Sequence, residues 1–219
     1  MTNSKTTVVK ARDGTDIGVS VCGAGPPIVL VHGAASDARQ WTLVAPLLAA
    51  AGFTVLAMDR RGRRASGPQR TDHSLETDYG DVATVAGAPG VPVHLVGHSS
   101  GARYAIHAAP DIPMLVSLTL YEPPAPEVLT DIVLSKLSAA ESAQDHIGVL
   151  EAFFVDAVGI DEVSFAGLQA RPIWPLMVDN SLTLPAELRA ARSYHFEPAT
   201  LSAVAVPTRV LLGDWSGPE

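Results

Sequence analysis

The chain has 219 residues, 47% of them hydrophobic, which suits one α/β domain with a substantial core. A formal charge of −8 argues against nucleic acid or an anionic membrane surface as the main partner. Cys22 is the single cysteine, so an intrachain disulfide is excluded. No run reaches the roughly 18 apolar residues of a membrane span, and residues 1–6 carry no signal-peptide pattern, so a cytoplasmic protein is expected.

Residues 6–10 and 16–21 flank Asp13-Gly14, a strong turn signal, and predict an antiparallel hairpin. Pro26-Pro27 leads into Ile28-Val29-Leu30-Val31, a wholly apolar run of the kind found in strands covered on both faces. Trp41, Val44, Leu47, Leu48 and Ala51 recur at helical spacing and predict one helix ended by Gly52. Residues 53–58 read as the next strand, closed by Asp59. The cluster Arg60, Arg61, Arg63 and Arg64 reads as a solvated loop rather than a phosphate or nucleic-acid site. Residues 75–86 are expected to be helical, with His73 ahead of them as a cap or an exposed side chain.

The most informative segment follows. Val91-Pro92-Val93-His94-Leu95-Val96 is short, apolar and β-branched, and residues 102–109 are rich in helix formers. Between them stands Gly97-His98-Ser99-Ser100-Gly101, a G-x-S-x-G sequence. A serine turned sharply between strand and helix needs tiny neighbours two residues either side, and Gly97 and Gly101 meet that need. The strand before and the helix after turn a weak pattern into a strong signal for a nucleophile elbow.

Residues 114–121 predict a further strand ended by Glu122-Pro123-Pro124. Strands alternating with helices imply a mostly parallel sheet with helices on both faces. From 125 to 196 the apolar residues, among them Val128, Ile132, Leu137, Leu150, Phe153 and Leu188, recur at helical intervals without a convincing strand. This stretch reads as a helical cap lying over the carboxyl ends of the strands, with most of its apolar residues serving core packing. The core then comprises residues 1–124 and 197–219, with 208–212 resuming the sheet.

In this order the landmarks resemble the α/β-hydrolase fold family, and within it the small hydrolases with a helical cap. They are His32-Gly33, Asp59-Arg60-Arg61-Gly62, the segment from Gly97 to Gly101, Tyr121-Glu122-Pro123-Pro124, and Val206-Pro207 through Gly213-Asp214. The resemblance implies Ser99 as nucleophile, with the backbone N–H groups of Ala34 and Ser100 as oxyanion donors. It gives Asp214 as the acid that orients a histidine, with Glu122 as the alternative acid. His32, Gly33, Gly97, His98 and Gly101 support the motif, His98 by packing and His32 by pinning backbone. A serine at the elbow argues against the epoxide hydrolase and haloalkane dehalogenase branches, which place a carboxylate there.

Two departures stand out. The resemblance places a second glycine two residues beyond Gly62, where this chain has Arg64; a positive φ there would strain arginine. Family order also puts the catalytic histidine after the acid, and none follows Asp214. The family's final strand, histidine loop and helix have no counterpart, and ordinary element lengths put that segment at roughly 35–50 residues. A chain that is C-terminally incomplete is therefore expected. Of the other histidines, His94 and His107 read as structural, and His146 and His195 belong to the cap.

The leading expectation is a serine hydrolase acting on a small ester or thioester through an acyl-enzyme on Ser99. No metal spacing or phosphate loop occurs, so neither cofactor nor metal is expected, and the partner is a small molecule. A disabled hydrolase scaffold that binds a small hydrophobic ligand under the cap is the alternative. Completion of the site in trans by a partner or second copy is a third.

Overall fold

The structure is a computed structural model that describes residues 5–70, 72–124, 129–194 and 198–213. Seven strands form one sheet: β1 (Lys5–Lys10), β2 (Asp16–Gly23), β3 (Pro27–Val31), β4 (Thr54–Met58), β5 (Val93–His98), β6 (Leu115–Tyr121) and β7 (Thr208–Leu211). Their spatial order is β1-β2-β4-β3-β5-β6-β7. The β1–β2 and β2–β4 pairings are antiparallel and the other four are parallel, in the α/β arrangement expected. Gly14 turns the opening hairpin at a φ of 84°.

The period-two alternation of β3 decides how the layers are built. Val29 and Val31 face α2 (Leu75–Gly87) and α3 (Ser100–Ala108), packing in one cluster with Val82, Val85, Ala102 and Ala105. Ile28 and Leu30 point the opposite way, into a smaller cluster with Trp41, Val55, Ala57 and, from α1 (Ala45–Ala50), Leu48. All five β3 residues are buried, as a central parallel strand requires.

Among the described residues between β6 and β7 the regular elements are all helices. They include α4 (Asp131–Ser142), α5 (His146–Glu151), α6 (Glu162–Gln169), α7 (Trp174–Asn180), α8 (Leu184–Ala191) and α9 (Pro198–Ser202). A stretch of π-helix, Ala152–Val158, extends α5 and ends at Gly159, which takes the left-handed conformation at φ 86°. Leu137, Leu150, Phe153, Leu184 and Leu188 form a hydrophobic cluster of their own, which also buries Ala35 from the loop after β3. Among the described residues, no helix is long and apolar enough to cross a membrane.

Three sequence expectations need correction. The helix expected from Trp41 to Ala51 is instead a 3-10 turn, Ala38–Trp41, followed by the short α1. Pro46 sits in the first turn of α1, where it restricts the chain before it, and Leu47 is left 70% exposed. The arginine cluster is not a solvated loop: Arg60, Arg61 and Arg63 are buried, because carboxylates from distant elements meet each of them. His73 neither caps α2, which Ser74 does, nor lies exposed; its side chain is buried 3.0 Å from Asp78.

Candidate active site

β5 delivers Ser99 to the sheet's carboxyl edge, and α3 carries the chain away at once. Ser99 is held at φ 52°, ψ −125°, a backbone state that a non-glycine residue occupies only at a cost of about 1–3 kcal/mol. Its N–H donates to the Tyr121 carbonyl at the end of β6 (2.9 Å), and its carbonyl accepts from Ala102 N–H (2.8 Å). Crowding explains the flanking glycines. A Cβ on Gly97 would lie 2.3 Å from the Gly101 oxygen, and one on Gly101 would lie 2.5 Å from the carbonyl oxygens of both Val31 and His32. The elbow is thus pressed between β3 and its own helix.

The loop after β3 lies directly against it. A Cβ on Gly33 would come 3.0 Å from Ser99 Cβ, so this glycine lets the loop approach the serine. Ala34 follows, half-buried, and then Ala35 at φ 46°. Ser100 opens α3 on the other side, buried, so its backbone N–H is one of the four that helix geometry leaves without an intrahelical acceptor. Gly33, the residue before Ala34, thus lies against Ser99, and Ser100 follows Ser99 directly in the chain.

His32 is fully buried. Its Nδ1 lies 2.8 Å from the Gly33 carbonyl, and its Nε2 accepts the Arg60 N–H at 3.1 Å, which leaves the proton on Nδ1 to donate to that carbonyl. Burial, reinforced by the charges of Arg60 and Arg63, holds its pKa well below the ordinary histidine value. As a neutral imidazole it holds the backbone of Gly33 and Arg60. His98 is held as well. Gln40 accepts the Gly33 N–H through Oε1 (3.3 Å), which turns its Nε2–H₂ toward His98 Nδ1 (2.7 Å). Burial lowers the His98 pKa, against the opposite pull of Glu122.

Glu122 stands at the end of β6 in a left-handed conformation, φ 47°. Its N–H donates to Leu211 at the end of β7 (2.9 Å), and its carboxylate accepts the Gly213 N–H. The alternative acid is thereby set beside the residue that precedes Asp214. Asp214 itself lies outside the described residues, as does His195.

The remaining histidines are engaged away from Ser99. His94 Nδ1 meets Ser117 Oγ (2.8 Å), and His107 stacks on Tyr79 and meets Tyr194 Oη (3.0 Å). His146 Nδ1 lies 2.8 Å from Ser181 Oγ, between helices of the β6–β7 segment. Among the described residues, no group of three or more His, Cys, Asp and Glu side chains is arranged to hold a metal ion.

The sequence reading overlooked Gln40 and the acidic partners of the arginines. Arg60 Nη2 reaches Glu187 Oε2 of α8 (3.1 Å), and Arg63 Nη2 reaches Oε1 of the same carboxylate (2.5 Å). Arg64 does take the positive φ, 37°, that the glycine of the family pattern would relieve.

Residues 28–217 match the sequence profile of the alpha/beta hydrolase family. The chain belongs to that family. N-formylmaleamate deformylase from Pseudomonas putida is 32% identical over 169 residues, covering 75% of this chain and 57% of that protein. A non-heme haloperoxidase from Rhodococcus erythropolis is 36% identical over 102 residues, covering 44% of this chain and 37% of that protein. The chain thus spans little more than half, or less, of the length of these curated relatives. Among solved structures, an alpha/beta hydrolase from Sphaerobacter thermophilus superposes with a TM-score of 0.83 at 30% identity, covering 93% of this chain and 80% of that one.

Proposed function

We propose that this chain is a serine hydrolase that cleaves a small ester or thioester through an acyl-enzyme on Ser99. The observation that carries the reading is the Ser99 backbone, held at φ 52° between β5 and α3 with Gly33 packed against it. Strain of this kind persists only where the surroundings over-determine it, and it clusters where a side chain must be presented. The likeness to a deformylase at 32% identity supports hydrolytic chemistry at a carbonyl.

Ser99 Oγ attacks the carbonyl carbon, and the negative charge that builds on the carbonyl oxygen rests on the N–H groups of Ala34 and Ser100. Collapse expels the alcohol or thiol, and water then releases the acyl group. Asp214, or Glu122 in its place, would orient a histidine base, which takes the Ser99 Oγ proton and returns it to the leaving alcohol or thiol. None of the histidines among the described residues takes that part, since each is held by the partners given above. The helices between β6 and β7 act as the cap, a reading supported by their packing around Ala35.

The test separates acylation from turnover. Wild-type protein and Ser99→Ala are mixed with a chromogenic acetate ester, and release is followed from the first milliseconds. Ser99-dependent release, beginning with a burst of about one equivalent where deacylation is slow, is the expected result. Equal release from both proteins would overturn the assignment.

A further inference from the structure

The loop that carries Ala34 is gripped at two points by arginines that share one acid. Arg60 Nη2 donates to the Gly33 carbonyl (3.1 Å), and Arg63 Nε donates to the Ser36 carbonyl (2.8 Å). The two carbonyls bracket Ala34 and the strained Ala35. Behind the loop both guanidinium groups end on Glu187, one on each carboxylate oxygen, and Arg63 also donates to Thr183 Oγ1 (2.8 Å). Asp78 of α2, 3.5 Å from Arg60 Nη1, makes the group of two arginines and two carboxylates neutral.

All four charged side chains are at most 4% exposed. Burial alone would raise the Glu187 pKa, but the charges of Arg60 and Arg63 overrule it and hold the carboxyl below its ordinary value. A bare packing role for a glutamate would leave its carboxylate at the surface. Here the carboxylate meets two guanidinium groups that also hold the Gly33 and Ser36 carbonyls on either side of Ala34.

We propose that Glu187, acting through Arg60 and Arg63, is a positioning residue that sets the oxyanion loop against Ser99 and ties that setting to the docked position of α8. Its effect on rate rests on the serine hydrolase reading. The clamp itself is a statement about the loop and does not. An oxyanion donor acts only when it is aimed at the place where charge develops, so loosening the clamp affects the transition state more than substrate binding.

The experiment compares wild type with Glu187→Gln, which keeps shape and one acceptor oxygen but removes the charge. Arg189→Ala on the same helix, which loses only an exposed ion pair with Glu141, is the control. For an acetate ester, Glu187→Gln is expected to lose on the order of 10–100-fold in kcat, with KM changed less than about twofold, while the control stays at wild-type values. Hydrogen–deuterium exchange of the amides of residues 33–37 should quicken in Glu187→Gln, with β3 and α3 unchanged. Where Glu187→Gln does not fold, Arg60→Lys is read in the same way, since a compact ammonium lacks the planar fork with which Arg60 reaches Gly33, Asp78 and Glu187.

A folded variant with wild-type exchange at residues 33–37 overturns the clamp. So does exchange that quickens equally across β3 and α3. If the wild type hydrolyses no ester, the hydrolase reading fails by itself, and the exchange comparison still decides the clamp.

Discussion

His32 shows how one buried side chain settles the state of a whole loop. Its imidazole stays neutral because burial and the nearby Arg60 and Arg63 all disfavour a second proton, whereas the unfolded chain leaves it at an ordinary value near 6.5. The sign follows. The unfolded state takes up a proton that the folded state refuses, so this contribution to stability is complete above about pH 6.5 and is lost as pH falls below it. The slope is about 1.4 kcal/mol per pH unit for each proton taken up. Urea midpoints measured between pH 7.5 and 5 should fall, and His32→Gln should show a shallower fall than wild type. Equal slopes would remove His32 as the cause. The glycines make a steric prediction at the same scale. Gly101→Ala forces a Cβ onto the carbonyls of Val31 and His32, both 2.5 Å away, and should cost about 1–3 kcal/mol or more in chemical unfolding, whereas Gly87→Ala, with open space around it, should not destabilise.

At the scale of elements, what the sequence revealed and what it hid have separate physical causes. β3 and β5 were legible because apolar, β-branched runs bounded by proline and glycine leave few other options. The elbow was legible because a strained serine forces glycines at fixed offsets. The helices after β6 were legible as helices from their period alone. The arginine cluster was misread because charged runs are ordinarily solvated, and nothing local shows that Glu187, 127 residues beyond Arg60, returns to neutralise it. Gln40 was missed for a similar reason, since its two contacts depend on how the loop after β3 folds back. The hydrophobic cluster of α4, α5 and α8 has its own interior, so Leu150→Ala should leave a cavity and cost about 2–5 kcal/mol, measured by denaturant unfolding. A loss below about 1 kcal/mol would mean that these helices do not share a close-packed core.

For the whole molecule, a mostly parallel sheet brings the ends of β3, β5 and β6 to one edge, where Gly33, Ser99 and Glu122 gather from segments far apart in sequence. The order of the landmarks along the chain implied such a grouping through the resemblance to the family. The charged clamp connecting the edge to α8 was not legible there, because it is a property of the assembled fold and not of any one segment. The proposed role of Ser99 as the reacting nucleophile is open to one direct measurement. Incubation with a fluorophosphonate, followed by intact-mass and peptide mass measurement, tests it most directly. One phosphonyl adduct per chain is expected, located on Ser99 and absent from Ser99→Ala. Adduct on another residue, or undiminished labelling of Ser99→Ala, would contradict it.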